Sequence, residues 1–210
     1  TLPFNVSSNS PPSSIAVIGA RVNPQASYNG AILVCDRLVQ SAGFNATATT
    51  VQTTNLPTPT CPRYSDGVGV MAGIEINTAI GATTATITCS YTTVDNTTAS
   101  TMPITIGGTG NSVAGRFILL PLRPGCTGVS SVNSLQLSNS TATAGAFSVV
   151  LYKPLFMIPI SDCNNEVCDY LSGSFVGALN PISSNTFFML LSMSAAGDNR
   201  LFGSLLINEE

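Results

Sequence analysis

Apolar and polar residues alternate along much of this chain, most cleanly between Tyr64 and Thr92. Val68, Val70, Ala72, Ile74 and Ile76 recur at every second position, with Gly67, Gly69, Met71, Gly73 and Glu75 between them. Beyond Asn77–Ala82, residues Ala85, Ile87, Cys89 and Tyr91 alternate with Thr84, Thr86, Thr88, Ser90 and Thr92. A period of two puts one set on each face of a strand, so the apolar set faces a core and the threonines face out. The stretch predicts a β-hairpin whose turn uses Gly81 at positive φ.

The same period predicts strands over Ile15–Val22, Ala31–Ser41, Thr47–Thr54, Met102–Ile106, Arg116–Leu122, Val129–Leu137, Ala146–Leu155, Thr186–Ser194 and Leu201–Asn208. Ala31–Ser41 also carries a partial helical repeat through Ile32, Cys35, Leu38 and Val39, but the preceding Asn29-Gly30 and the surrounding strands favour β. Arg116–Leu122, RFILLPL, is almost wholly apolar and reads as a central strand. Leu56–Pro62 is proline-rich and reads as a connection, and Asp95–Ser100 as a polar loop. With no alternating helices, the pattern predicts an all-β fold: a β-sandwich of the jelly-roll kind with about ten strands. Residues 1–14 read as an irregular N-terminal arm and 15–210 as a single β-sandwich domain. Within that domain, 157–185 breaks the rhythm and reads as a loop insertion with a short helical turn.

Composition narrows the chemistry. Charged residues are 8% of the chain, against about 25% in ordinary domains. The polar surface must come from residues such as the 25 Ser and 24 Thr. Such a surface is neutral and β-prone, and it implies coverage by partners. A net charge of −3 with seven basic residues disfavours a nucleic-acid footprint. No apolar run reaches the ~18–20 residues of a membrane-spanning helix, so no membrane partner is expected.

Histidine is absent, which removes the commonest general base, metal ligand and partner of a nucleophile. Asp66 and Glu75 lie too far apart on an extended strand to be assigned as a catalytic pair, and Glu75 is expected to pair with an arginine. No catalytic residue, cofactor or metal is therefore assigned. The acidic cluster Asp162, Glu166 and Asp169 offers oxygen ligands for calcium, but its spacing fits no EF-hand. GGTG at 107–110 lacks the Lys-Ser/Thr of a phosphate loop. Of six scattered cysteines, Cys35 and Cys89 lie in strand patterns and read as buried small hydrophobes. Cys163 and Cys168 form the one local pair and are the candidate disulfide. Leu2 and Phe4 in the arm, with Tyr170 and Phe175 in the insertion, are the candidate partner contacts.

The segments GARVNPQASYNGAILVCDRLVQSAGF, PRYSDGVGVMAGIEI, TITCSYT, RFILLPLRPGCTGVSSVNSLQL and GAFSVVLYKPL resemble a group of virion structural proteins of tailed bacteriophages, across residues 18–156. The resemblance implies a capsid cement or decoration protein, homotrimeric, packing on the major capsid protein. It would sit on the capsid exterior of the virion after assembly in the host cytoplasm. A tail, adaptor or fibre protein that binds the host is the alternative, followed by a secreted adhesive β domain. The resemblance brings no catalytic residue with it and does not reach 157–185.

Overall fold

The computed structural model describes residues 2–3, 15–24, 30–56, 61, 63–160, 166–169, 186–194 and 201–209, with side chains for 30–56, 61, 63–158 and 186–193. The described chain is all-β, without a helix. Its strands are β1 (Leu2–Pro3), β2 (Ile15–Pro24), β3 (Gly30–Asn45), β4 (Gln52–Thr53), β5 (Met71–Ile76), β6 (Ala85–Thr93) and β7 (Thr98–Ser100). They continue with β8 (Ile104–Ile106), β9 (Phe117–Leu120), β10 (Val129–Leu137), β11 (Ala146–Ile160), β12 (Glu166–Asp169), β13 (Phe187–Ser194) and β14 (Leu201–Glu209). The sheets run β1-β13-β3-β11-β5-β9, β4-β10-β6-β7 with β8 also on β6, and β12-β2-β14. Every pairing with a described register is antiparallel. The contacts separate two compact units, Arg37–Lys153 and the combination of Thr1–Asp36 with Pro154–Glu210.

The Arg37–Lys153 unit is a β-sandwich. Phe44 of β3, Ala72, Ile74 and Ile76 of β5, Leu120 of β9, and Phe147, Val149 and Leu151 of β11 line one wall of its core. Ala85, Ile87, Cys89 and Tyr91 of β6, with Val129, Val132, Leu135 and Leu137 of β10, line the other. Each fully buried aliphatic or aromatic side chain contributes about 2 kcal/mol by leaving water. Phe44 and Phe147 pack with ring centroids 5.7 Å apart. From β3 to β11, every connection except those among β6, β7 and β8 passes from one sheet to the other.

That crossing overturns the expected hairpin. β5 begins only at Met71 and leaves Val68 exposed in the loop before it. Ala72, Ile74 and Ile76 and the β6 set face inward as expected, but β5 and β6 belong to different sheets and face each other across the core. Their connection is pinned at the end of the sandwich. Asn77 and Thr78 N–H donate to Ala146 O, Ile80 N–H donates to Ser112 O, and the Ile80 side chain is buried. Gly81 lies outside the left-handed region. It is needed because a Cβ there would stand 1.6 Å from the Thr141 carbonyl oxygen.

Other expectations shift as well. RFILLPL supplies β9, an edge strand rather than a central one, with Ile118 and Leu120 toward the core and Leu119 exposed. The expected threonine-rich strand over Thr47–Thr54 shrinks to Gln52–Thr53, and Asp95–Ser100 contains β7 rather than only a loop. β10 has the expected bounds, but strict alternation would have put Val132 opposite Val129 and Leu135. Register shifts between Val129 and Ser131 and between Val132 and Ser134 turn Val129, Val132, Leu135 and Leu137 all inward. β3 runs 16 residues, settling the Ala31–Ser41 ambiguity as strand.

In the other unit, β2 lies between β12 and β14, with Val22 opposite Glu166 and Ile15 opposite Glu209. Within the expected insertion, Glu166–Asp169 is strand, and 161–165 and 170–185 lie outside the described residues. β13 pairs with Gly30–Asp36 of β3, and Leu2–Pro3 of the expected irregular arm pairs with Phe187–Phe188. Asp36 is fully buried, and its carboxylate accepts the Phe187 N–H at 3.1 Å.

Candidate functional site

Few of the candidate residues from the sequence fall among the described residues. Leu2 lies in β1, paired with the chain's own β13. Phe4, Tyr170, Phe175, Cys163 and Asp162 lie outside the described residues. Cys168, Glu166 and Asp169 are placed on β12 by their backbone alone, Cys168 opposite Ala20. Described polar chemistry concentrates instead on the outer face of the β3–β11–β5 portion of the sandwich.

There Arg37 of β3 reaches over β11 to Glu75 of β5. Its Nη2 donates to Glu75 Oε2 at 2.7 Å and to Gln40 Oε1 at 2.7 Å. Gln40 Nε2 in turn donates to Ser148 Oγ at 2.8 Å, beneath the strap, where Ser148 is fully buried. Period-two alternation produces this arrangement: Arg37 is one residue from the buried Asp36, and Glu75 lies between the core residues Ile74 and Ile76. The pairing of Glu75 with an arginine was legible in the sequence. The choice of Arg37, on a strand two places away in the sheet, was not. With its carboxylate held by a guanidinium, Glu75 is placed for tying strands together. Arg63 adds a second tie, its Nη2 donating to the Arg37 carbonyl at 3.1 Å.

The loop leading into β5 is held in a costly conformation. Tyr64, Gly67 and Gly69 have φ of 56°, 70° and 70°. A tyrosine in this region costs about 1–3 kcal/mol and persists only where its surroundings over-determine it. Here they do. Lys153 Nζ donates to the Val68 carbonyl at 3.0 Å and lies 4.2 Å from the Tyr64 ring centroid. Gly67 N–H donates to Tyr64 O, Gly69 N–H to Thr127 O, and Asp66 Oδ1 accepts from Val68 N–H. The loop presents Val68, 47% exposed, between Asp66 and Lys153. The GVG run is a turn signal in the sequence, but nothing in it foretells a left-handed Tyr64 or its partner 89 positions on, at Lys153.

A third feature is the free side of β9. It pairs with β5 on one side and ends the sheet on the other. Phe117 folds its ring over Gly73, where a Cβ would stand 2.3 Å from it, and meets Tyr152 edge-on with centroids 5.5 Å apart.

The thiols have settled surroundings. Cys35, Cys61, Cys89 and Cys126 are free. Burial pushes the thiol of Cys35 up to about 12, with the charge of Asp36 adding to it. Burial alone pushes Cys61 to about 11 and Cys89 to about 12. A nucleophilic cysteine requires the opposite shift. Tyr91 is buried; its phenol oxygen accepts the Arg123 N–H at 3.1 Å, and burial followed by the Cys126 thiol raises its pKa. Among the described residues no three His, Cys, Asp or Glu side chains gather as a metal site. No family model, curated protein or solved structure matches this chain.

Proposed function

We propose that this chain is a structural protein of a virion shell, a cement or decoration protein that packs on the major capsid protein of a bacteriophage as a homotrimer. The observation that carries the reading is the nature of the surface. Large apolar side chains stand exposed on both units: Val51, Val68, Met102, Val113 and Leu119 on one, Met157, Phe187, Leu190 and Met193 on the other. They sit in a chain whose charged share is only 8%. A surface of this kind suits repeated burial against neighbours, because apolar groups gain by leaving water and few charges must be desolvated. The described titratable groups support the same reading. Glu75, Arg37, Lys153 and Asp36 hold strands and loops together. Mechanically, buried area between neighbours would resist pressure from within the shell. A jelly-roll connectivity of the sandwich belongs to the same proposal.

The test is retention on purified phage capsids, with copies per particle measured by quantitative mass spectrometry and the oligomer by sedimentation. Hundreds of copies and a trimer are the expected result. A dozen copies or fewer would replace the reading with a tail, adaptor or fibre protein. No retention would leave the secreted adhesive domain.

A further inference from the structure

We propose that the free side of β9 is a strand-addition site for an extended, acidic segment of a partner protein. The proposal stands on backbone geometry and charge, and does not depend on the shell reading.

Hydrogen-bond alternation identifies the open groups. Ile76 N–H donates to Arg116 O at 2.9 Å, which marks that position as a hydrogen-bonded pair of the β5–β9 ladder. Such pairs alternate in an antiparallel ladder, so Ile118, opposite Ile74, and Leu120, opposite Ala72, direct their N–H and C=O toward β5. Phe117 and Leu119 direct theirs away from the sheet. No described residue bonds them; coverage begins only at Pro121, whose carbonyl accepts Met102 N–H at 3.0 Å. An incoming strand would satisfy these groups, as in β-augmentation.

Side chains and charge specify the partner. Leu119 is exposed on this strand, Val113 precedes it and Met102 adjoins its end, so three of the five large apolar side chains exposed among the described residues of the Arg37–Lys153 unit gather here. Arg116 and Arg123 flank the strand, both exposed, and neither makes an ion pair among the described residues. No aspartate or glutamate occurs from Asn96 to Ser161, and Glu75, opposite Phe117, is held by Arg37. The edge is therefore cationic and apolar. A second copy pairing β9 with β9 would bring four arginines to one ladder with no acid between them, and like charges across strands repel. A segment that alternates apolar residues with Asp or Glu suits it.

The experiment uses the full chain labelled with nitrogen-15 and two synthetic peptides, one alternating Val with Glu and one alternating Val with Lys. The acidic peptide is expected to shift and protect the amides of Phe117 and Leu119, while those of Ile118 and Leu120, already bonded to β5, stay unchanged. Leu119→Pro should abolish binding. Among the described residues the Leu119 N–H has no acceptor and points away from β5, so the β5 ladder survives the change. Arg116→Glu with Arg123→Glu should weaken the acidic peptide about tenfold. This second variant keeps the test decisive if the proline variant fails to fold. Equal binding of the two peptides, or binding unaffected by either variant, would overturn the proposal. So would self-association that rises with concentration and disappears in Leu119→Pro, because the occupant would then be a second copy.

Discussion

Replacing Gly81 with alanine sets two origins for this glycine against each other. A methyl carbon there would stand 1.6 Å from the Thr141 carbonyl oxygen and 2.6 Å from its carbon. Carbon and carbonyl oxygen approach no closer than about 3.3 Å in ordinary weak contacts, so the Thr141 backbone must retreat by well over an ångström. That segment is tied down. Thr141 N–H and Oγ1 both donate to Ala46 O, at 3.1 and 3.0 Å, and Gly81 N–H donates to Thr141 Oγ1 at 3.3 Å. Thr141 and Ala46 are fully buried, so water cannot replace the lost partners. At about 1 kcal/mol for each of the three bonds, Gly81→Ala should destabilise the protein by about 3 kcal/mol. Gly81→Asn should cost at least as much, whereas a glycine kept for positive φ would accept asparagine more readily than alanine. Gly110→Ala, with nothing within 4 Å of its Cβ, is the neutral control. Urea unfolding followed by far-ultraviolet circular dichroism suits a chain without tryptophan. An alanine variant within about 0.5 kcal/mol of the parent, or an asparagine variant distinctly more stable than the alanine one, would refute the close-approach argument.

The Arg37–Glu75 strap should show a coupling of about 1–2 kcal/mol in a double-mutant cycle with Arg37→Met and Glu75→Gln, and a coupling near zero would reduce it to an ordinary surface pair. Lys153→Met should speed amide exchange at Gly67 and Val70 several-fold while leaving β6 and β10 unchanged; uniform acceleration would mean that Lys153 supports the whole sandwich rather than the loop. The buried thiols make stability depend on alkaline pH. Cys35, Cys61 and Cys89 stay protonated in the folded chain up to about 12, 11 and 12, but ionise near 9.0 when unfolded. Their contribution is complete below pH 9 and is lost as pH rises toward the folded values, by roughly 1 kcal/mol per thiol in the first unit above 9. Unfolding free energies measured from pH 8 to 10 should fall accordingly, and Cys61→Ala should flatten the slope. At about pH 8, iodoacetamide should label the half-buried Cys126 before the three buried thiols in native protein, and prior labelling of Cys89 would contradict its burial.

Local pattern determined the strand content of this protein and much of its core. Ala85, Ile87, Cys89 and Tyr91, like Ala72, Ile74 and Ile76, face the interior because a strand's side chains alternate whatever its neighbours are. The absence of histidine and the low charge were equally legible, because they are properties of composition. Tertiary structure decided everything that depends on which strand lies beside which. Period two cannot distinguish a hairpin from two strands facing each other across a core, since both bury the same residues, so β5 and β6 were open to misassignment. RFILLPL is apolar enough for a central strand, and only the end of the sheet makes it an edge with Phe117 and Leu119 turned outward. The bulges of β10 erased a phase mismatch that the sequence displayed without explaining. The ties of Arg37 to Glu75 and of Lys153 to Tyr64 join residues 38 and 89 positions apart. Such partners are chosen by sheet order and loop path, which are long-range properties that no local window of sequence contains.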